Sequence, residues 1–238
     1  MVNESENNFI MSPKIDFAFK LLFGNSKNID ILIALLSAIL KLPINEFVEI
    51  EIMDEELLHE FKEDKKEILD VKVTTKEKKR MDIRIHIFPH GFIPEKTMFY
   101  WANMYISGIN SVDTCNKLKK CITINIADSK YTPLKGIHTT YHITEDKTGY
   151  KLTDVPEIHF IELSKLLDEE VMKDENEAIV QWMEFIGAKS EEVMEVLAEK
   201  NEDIKKAYNL LKIISKDEKA RMLYEVRQAE ISDQLLGY

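Results

Sequence analysis

Glycine and proline are scarce, 7 and 6 in 238 residues. That excludes a collagen-like or linker-rich chain. Cysteine is scarcer still. Cys115 and Cys121 stand six apart, with neither CxxC nor paired CxxC spacing, which argues against a disulfide framework or a structural zinc site and suits a reducing cytoplasm. There is no apolar run of 18 residues. The longest candidate, ILIALLSAILKL at 31–42, is interrupted by Ser37 and Lys41; it reads as a buried helix, and no membrane partner is expected. The first residues, MVNESENNF, are polar and acidic and lack the basic-then-apolar order of a signal peptide. Positive charge is in deficit, with a formal net charge of −11. An extended nucleic-acid-coating surface needs a basic stripe and is disfavoured. A local basic groove is not, and a carboxylate site that recruits divalent cations would itself add negative charge.

What is present is a core. Hydrophobic residues make up 45% of the chain and charged residues 32%, the balance of a globular protein. The length suits one large domain, or one domain with an appendage.

Residues 1–11 read as a frayed tail. Ser12-Pro13 offers a side-chain cap and a first-turn proline for a helix through Ile15, Phe19, Leu22 and Phe23, with Gly24 as its stop. A second helix is expected at about 29–41, before Pro43. FVEIEIM (47–53) alternates as a half-buried strand does, and HEFKEDKKE (59–67) is a charged connection. ILDVKVTTKEKKRMDIRIHI (68–87) supplies two strands, about 68–75 and 80–88, ended by Pro89, His90 and Gly91. PEKTMFYWANMYISGI (94–109) is an amphipathic helix, and a short helix is expected over 111–119. CITINIA (121–127) and EIHFIEL (157–163) are strands, with a further strand and turn in KGIHTTYHITEDKTGY. From about 167 only helical periodicity remains, with interleaved Glu and Lys. The expected fold is α/β, a mixed sheet flanked by helices, with a core at about 1–166 and a helical region at 167–238.

Residues two apart on a strand share a face. Leu69, Val71 and Val73 therefore point one way, as do Met81, Ile83, Ile85 and Ile87 on the next strand. If those sets share the core, Asp70, Lys72, Asp82, Arg84 and His86 share the opposite face, on strands about 4.8 Å apart. Ordinary in/out alternation makes such a face merely solvated. The alternative is a hydrolytic site: carboxylates to hold Mg²⁺, and a basic group to handle water and developing charge.

Four segments decide how that face is best understood: MSPKIDFAFKLLFG (11–24), the strand ILDVKV, EKTMFYWANMY (95–105) and DEKARMLYEVRQAEISD (217–233). With them the chain resembles the PD-(D/E)XK nuclease superfamily, and within it the bacterial recombination-promoting nuclease and transposase family, over about residues 11–233. The resemblance implies a restriction-endonuclease-like core, a metal-dependent DNA endonuclease activity in recombination or transposition, Mg²⁺ or Mn²⁺ as cofactor, and DNA as partner. It implies Asp70 as the metal-binding aspartate, and Asp16, at an acidic position of the family, as a second group near the metal. Where the family's next strand carries Glu and then Gln or Lys, this chain has Arg84 and His86 in MDIRIHI. Arginine keeps its proton and cannot ligate a metal. It would instead take the cation's place in a charge-assisted pair with Asp70. His86 could serve as a base, though imidazole is a poor Mg²⁺ ligand. Slipping the reading so that Asp82 is the carboxylate and Arg84 the cation moves the carboxylate about 6.6 Å along the strand. An endonuclease with an altered site and a degenerate relative that binds nucleic acid or protein without a cofactor are both compatible with these residues.

Other candidates are plainer. His86 and His90, and His138 and His142, are four apart. That spacing chelates on a helix but separates strand side chains by about 13 Å, so solvated or singly bonded histidines are expected. Lys117, Lys119 and Lys120 form a basic cluster, either a phosphate-contacting group or a solvated helix end. Phe99, Tyr100, Trp101 and Tyr105 are expected to pack on the sheet. Val193, Leu197, Ile204, Tyr208 and Leu211 suit a small bundle, a homo-oligomer contact or a partner surface.

Overall fold

The computed structural model describes residues 9–53, 68–77, 80–88, 94–107, 119–168, 170–171 and 173–236. The charged connection 59–67, the strand terminator 89–91, Cys115, Lys117 and most of the expected helix at 111–119 lie outside the described residues.

The chain docks earlier than its polar start suggests. Met11 is fully buried, and its N–H donates to Ser215 Oγ at 3.0 Å. The Ser12 N–H donates to the Tyr224 hydroxyl, and the Phe9 ring packs edge-on to Tyr224. Ser12-Pro13 forms a turn, closed by Ile15 N–H on the Ser12 carbonyl, and the first helix, α1 (Asp16–Phe23), starts three residues later than expected. Gly24 ends it by close approach: its N–H meets the Lys20 carbonyl at 2.7 Å, and a Cβ there would stand 2.7 Å from that oxygen. Helix α2 (Ile29–Leu40) follows and ends on Lys41 in the left-handed region, φ 54°.

Among the described residues six strands form one mixed sheet: β1 (Phe47–Ile52), β2 (Ile68–Thr75), β3 (Arg80–Phe88), β4 (Lys120–Ala127), β5 (His138–Tyr141) and β6 (Pro156–Glu162). Their order is β1-β2-β3-β4-β6-β5. The pairs β1/β2, β2/β3 and β5/β6 are antiparallel; β3/β4 and β4/β6 are parallel. A parallel β3/β4 pair needs a crossover, and helix α3 (Pro94–Ser107) lies within it, packed on β3 and β4. A register shift between Phe47 and Glu49 breaks the alternation of β1 at Val48, which is left exposed. Beyond it, Ile50 and Ile52 rejoin the apolar side, while Glu49 and Glu51 join the polar side.

Four more helices follow among the described residues: α4 (Ala178–Ile186), α5 (Glu191–Lys200), α6 (Glu202–Ser215) and α7 (Glu218–Leu236). One buried cluster joins the apolar side of the sheet, including Leu69, Val71, Ile83 and Ile124, to Phe17, Leu35, Trp182, Leu211 and Ile231. The N-terminal and C-terminal helices therefore share a core. Leu197, Ile204, Tyr208 and Leu211 are spent inside it, and Val193 is exposed. No single helix among the described residues is long and apolar enough to cross a membrane.

Asp16 and Arg227 join the two ends of the chain. Asp16 is fully buried, and Arg227 Nε and Nη2 donate to its carboxylate at 3.0 and 2.7 Å. The Phe17 N–H donates to Asp16 Oδ1 at 2.8 Å, and Arg227 Nη1 to Glu230 at 2.9 Å. Removing one partner strands the other charge in the core. Arg227→Met is expected to lower stability by about 3–5 kcal/mol, with Arg227→Met/Asp16→Asn recovering part of that loss, in urea denaturation. A loss below about 1 kcal/mol would show that the pair is solvated in solution.

Candidate functional site

The register of β2 on β3 pairs Val71 with Ile83 and Val73 with Met81 on the apolar side. The intervening pairs are Asp70 with Arg84 and Lys72 with Asp82; His86 lies opposite Ile68. The hairpin thus brings together Asp70, Lys72, Asp82, Arg84 and His86 on one face.

That face is not simply solvated. Helix α3 covers part of it, because the β3/β4 crossover returns across it. Thr97 is buried and donates to Asn125 Oδ1 at 3.1 Å, while Asn125 Nδ2 donates to the His159 carbonyl at 3.0 Å. Trp101 Nε1 donates to the Cys121 carbonyl at 3.1 Å, and its ring stacks on Tyr105. The aromatics of α3 therefore seat on the polar side of the sheet instead of in the main core, and Phe99 is left exposed.

Under this helix Arg84 closes on Asp70. Nε donates to Oδ1 at 2.6 Å and Nη2 to Oδ2 at 2.7 Å, a fork-on-fork pair. Nη1 reaches the Tyr100 carbonyl at 3.5 Å. The two side chains are 17% and 22% exposed, so solvent screens the pair far less than it would a surface ion pair.

His86 lies deeper, 1% exposed, with its ring 4.8 Å from that of Tyr100. Burial, and then the neighbouring Arg84 charge, push its pKa down to about 3. It is a neutral imidazole at ordinary pH. Cys121, opposite Asp82, is buried, and burial followed by the Asp82 charge pushes its thiol up to about 11, so it is no nucleophile.

The remaining sequence candidates lie elsewhere. Asp16, on α1, is held by Arg227 of α7, and α1 packs on the apolar side of the sheet, where its terminal Gly24 abuts Leu69, so Asp16 does not approach Asp70 as a second group for a metal. Lys120 is the first residue of β4 and Lys119 lies just before it, neither on a helix. Lys120 pairs in register with Met81, so it points to the apolar side, where it binds Glu157 at 2.7 Å. The histidine spacing concealed a different grouping. His138 Nε2 and His159 Nδ1 are 2.8 Å apart, and His159 Nε2 meets Glu157 Oε1 at 2.9 Å. Burial alone would raise Glu157, but hydrogen bonds from His159 and Lys120 outweigh it and hold the carboxyl at about 2. Burial, with His159 and Lys41, pushes His138 down to about 4. Arg227 was not singled out by any spacing, although it lies in the fourth quoted segment; its role appears only when α7 meets α1.

A mixed six-stranded sheet with helices on both faces, and a β2/β3 hairpin presenting its polar residues beneath the crossover helix, define a restriction-endonuclease-like α/β protein. The chain belongs to the PD-(D/E)XK nuclease family transposases, whose family profile matches residues 13–236. Comparisons with curated proteins and with solved structures return no significant match. Enzymes of this nuclease class are typically divalent-metal dependent. The residues present do not fit such a metal. Both Asp70 oxygens are engaged by a cation that cannot leave as a proton, Arg84 supplies no ligand, and among the described residues no three His, Cys, Asp or Glu side chains converge to hold an ion.

The depressed His86 pKa has a consequence for folding. The unfolded chain takes up this proton near pH 6.5, and the folded chain not until about 3. The stability from keeping His86 neutral is complete above 6.5 and is lost as pH falls from 6.5 towards 3, with a slope of at most about 1.4 kcal/mol per pH unit. His86→Gln should show a shallower loss than wild type across that window in urea denaturation. Parallel curves would mean that His86 protonates in the folded state.

Proposed function

We propose that this protein is a nuclease-fold member of its transposase family in which an internal ion pair has replaced the metal centre. It engages DNA in recombination or transposition without cutting it. The observation that carries the reading is the Arg84 guanidinium forked onto Asp70 at 2.6 and 2.7 Å. A phosphodiester nuclease of this class needs carboxylates free to hold a divalent ion. Here the Asp70 carboxylate is neutralised from within, on the rung where a second carboxylate would be required. His86 cannot substitute, being buried, uncharged and a poor match to Mg²⁺. DNA as partner rests on the family; with a chain of net charge −11, contact would be local and not a coating of the duplex.

Purified wild type is expected to leave supercoiled plasmid intact with Mg²⁺ or Mn²⁺ while still shifting duplex DNA in a gel. Nicking that Asp70→Asn abolishes would overturn the proposal. The double change Arg84→Glu/His86→Gln removes the guanidinium and restores a second carboxylate. It should acquire Mn²⁺ binding measurable by calorimetry, where wild type has none.

A further inference from the structure

One rung from the Asp70–Arg84 pair, a pocket of about 300 Å³ opens on the same side of the sheet. It is lined by Asp82, Lys72, Lys119, Glu49, Glu51 and Thr74, among others. The cross-strand register accounts for the grouping: Glu51 faces Lys72, and Lys72 faces Asp82. Asp82 is 9% exposed and makes no hydrogen bond or ion pair among the described residues. Its carboxylate lines the pocket and, as an acceptor, is free to meet a donor that enters there. The ammonium groups of Lys72 and Lys119 likewise have no ion pair among the described residues.

Three simple occupants fail. A bare metal ion lacks a converging ligand set among the described residues. A simple anion meets three carboxylates, and a simple cation meets two ammonium groups. Carboxylates and ammonium groups alternate across the strands, Glu51–Lys72–Asp82, so a ligand that carries both hydrogen-bond donors and negative charge matches the lining. We infer that this pocket takes a nucleotide, with the amino-bearing edge of its base on Asp82 and its phosphate on Lys72 and Lys119. This rests on the reading of the protein as one that engages DNA, and specifies an unpaired nucleotide as the part engaged. A carboxylate is an acceptor only. It is matched best by guanine, which offers two adjacent donors on its pairing edge. Cytosine offers its amino group, and thymine has none. The volume lies at the lower end of small-ligand sites.

The test is calorimetric titration of the full chain with the four deoxynucleoside monophosphates, with deoxyguanosine and with glycine. dGMP should bind about tenfold or more tightly than dTMP. Asp82→Asn should erase that base preference without lowering the melting midpoint, because a buried carboxylate gives way to a neutral amide. Lys72→Gln/Lys119→Gln should weaken every monophosphate while leaving deoxyguanosine little changed. The inference is overturned if no nucleotide binds at millimolar concentration, if Asp82→Asn keeps the base preference, or if glycine binds and nucleotides do not. Those outcomes leave the Asp70–Arg84 reading standing, since it is judged by plasmid nicking. Metal-dependent nicking by wild type would overturn that reading even if dGMP bound.

Discussion

The register between β2 and β3 is the constraint on which the site depends. Burying Leu69, Val71 and Val73 with Met81, Ile83 and Ile85 excludes a one-residue slip, which would turn every apolar side chain to the opposite face. The observed pairing puts Asp70 across from Arg84 and Lys72 across from Asp82. The core therefore selects the partners of the polar face, although the polar residues add little to the core.

Once Asp70 and Arg84 are opposed, the covering helix decides what the pair means. Between exposed groups an ion pair contributes at most about 1 kcal/mol and exchanges readily. Beneath α3, with both donors of the fork satisfied and the residual exposure near one fifth, the same groups hold each other more firmly. The positive charge then acts on its neighbour: Arg84 adds to burial in keeping His86 neutral. Metal binding here would require displacing a guanidinium that cannot lose its proton. A second buried pair, Asp16–Arg227, performs a separate task by joining the first helix to the last.

Much of this was legible in the chain. The period-two alternation of 68–75 and 80–88 located both strands and the shared polar face, and the expectation that Arg84 would pair with Asp70 agrees with the observed fork. Local signals misled where a distant element intervened. Ser12-Pro13 has the residues of a helix start, yet the backbone there bonds to α6 and α7, and α1 begins at Asp16. The lysines at 119 and 120 carry helix-compatible chemistry, yet sheet pairing takes up Lys120 and sends it to Glu157 on the opposite side. Four-residue histidine spacing pointed to separated side chains. It could not reveal His138 against His159, twenty-one residues away across the β5/β6 pair.

The sequence by itself determined which residues share a face, because alternation is a property of neighbours along one strand. It also determined that position 84 carries a cation that no pH within reach can remove. Only the tertiary structure decided that this face is roofed by α3, that Asp16 is bound to Arg227, and that Asp82 is left beside a pocket with two lysines. Burial and pairing arise from segments far apart in the chain, and they depend on the arrangement of the sheet and helices as a whole.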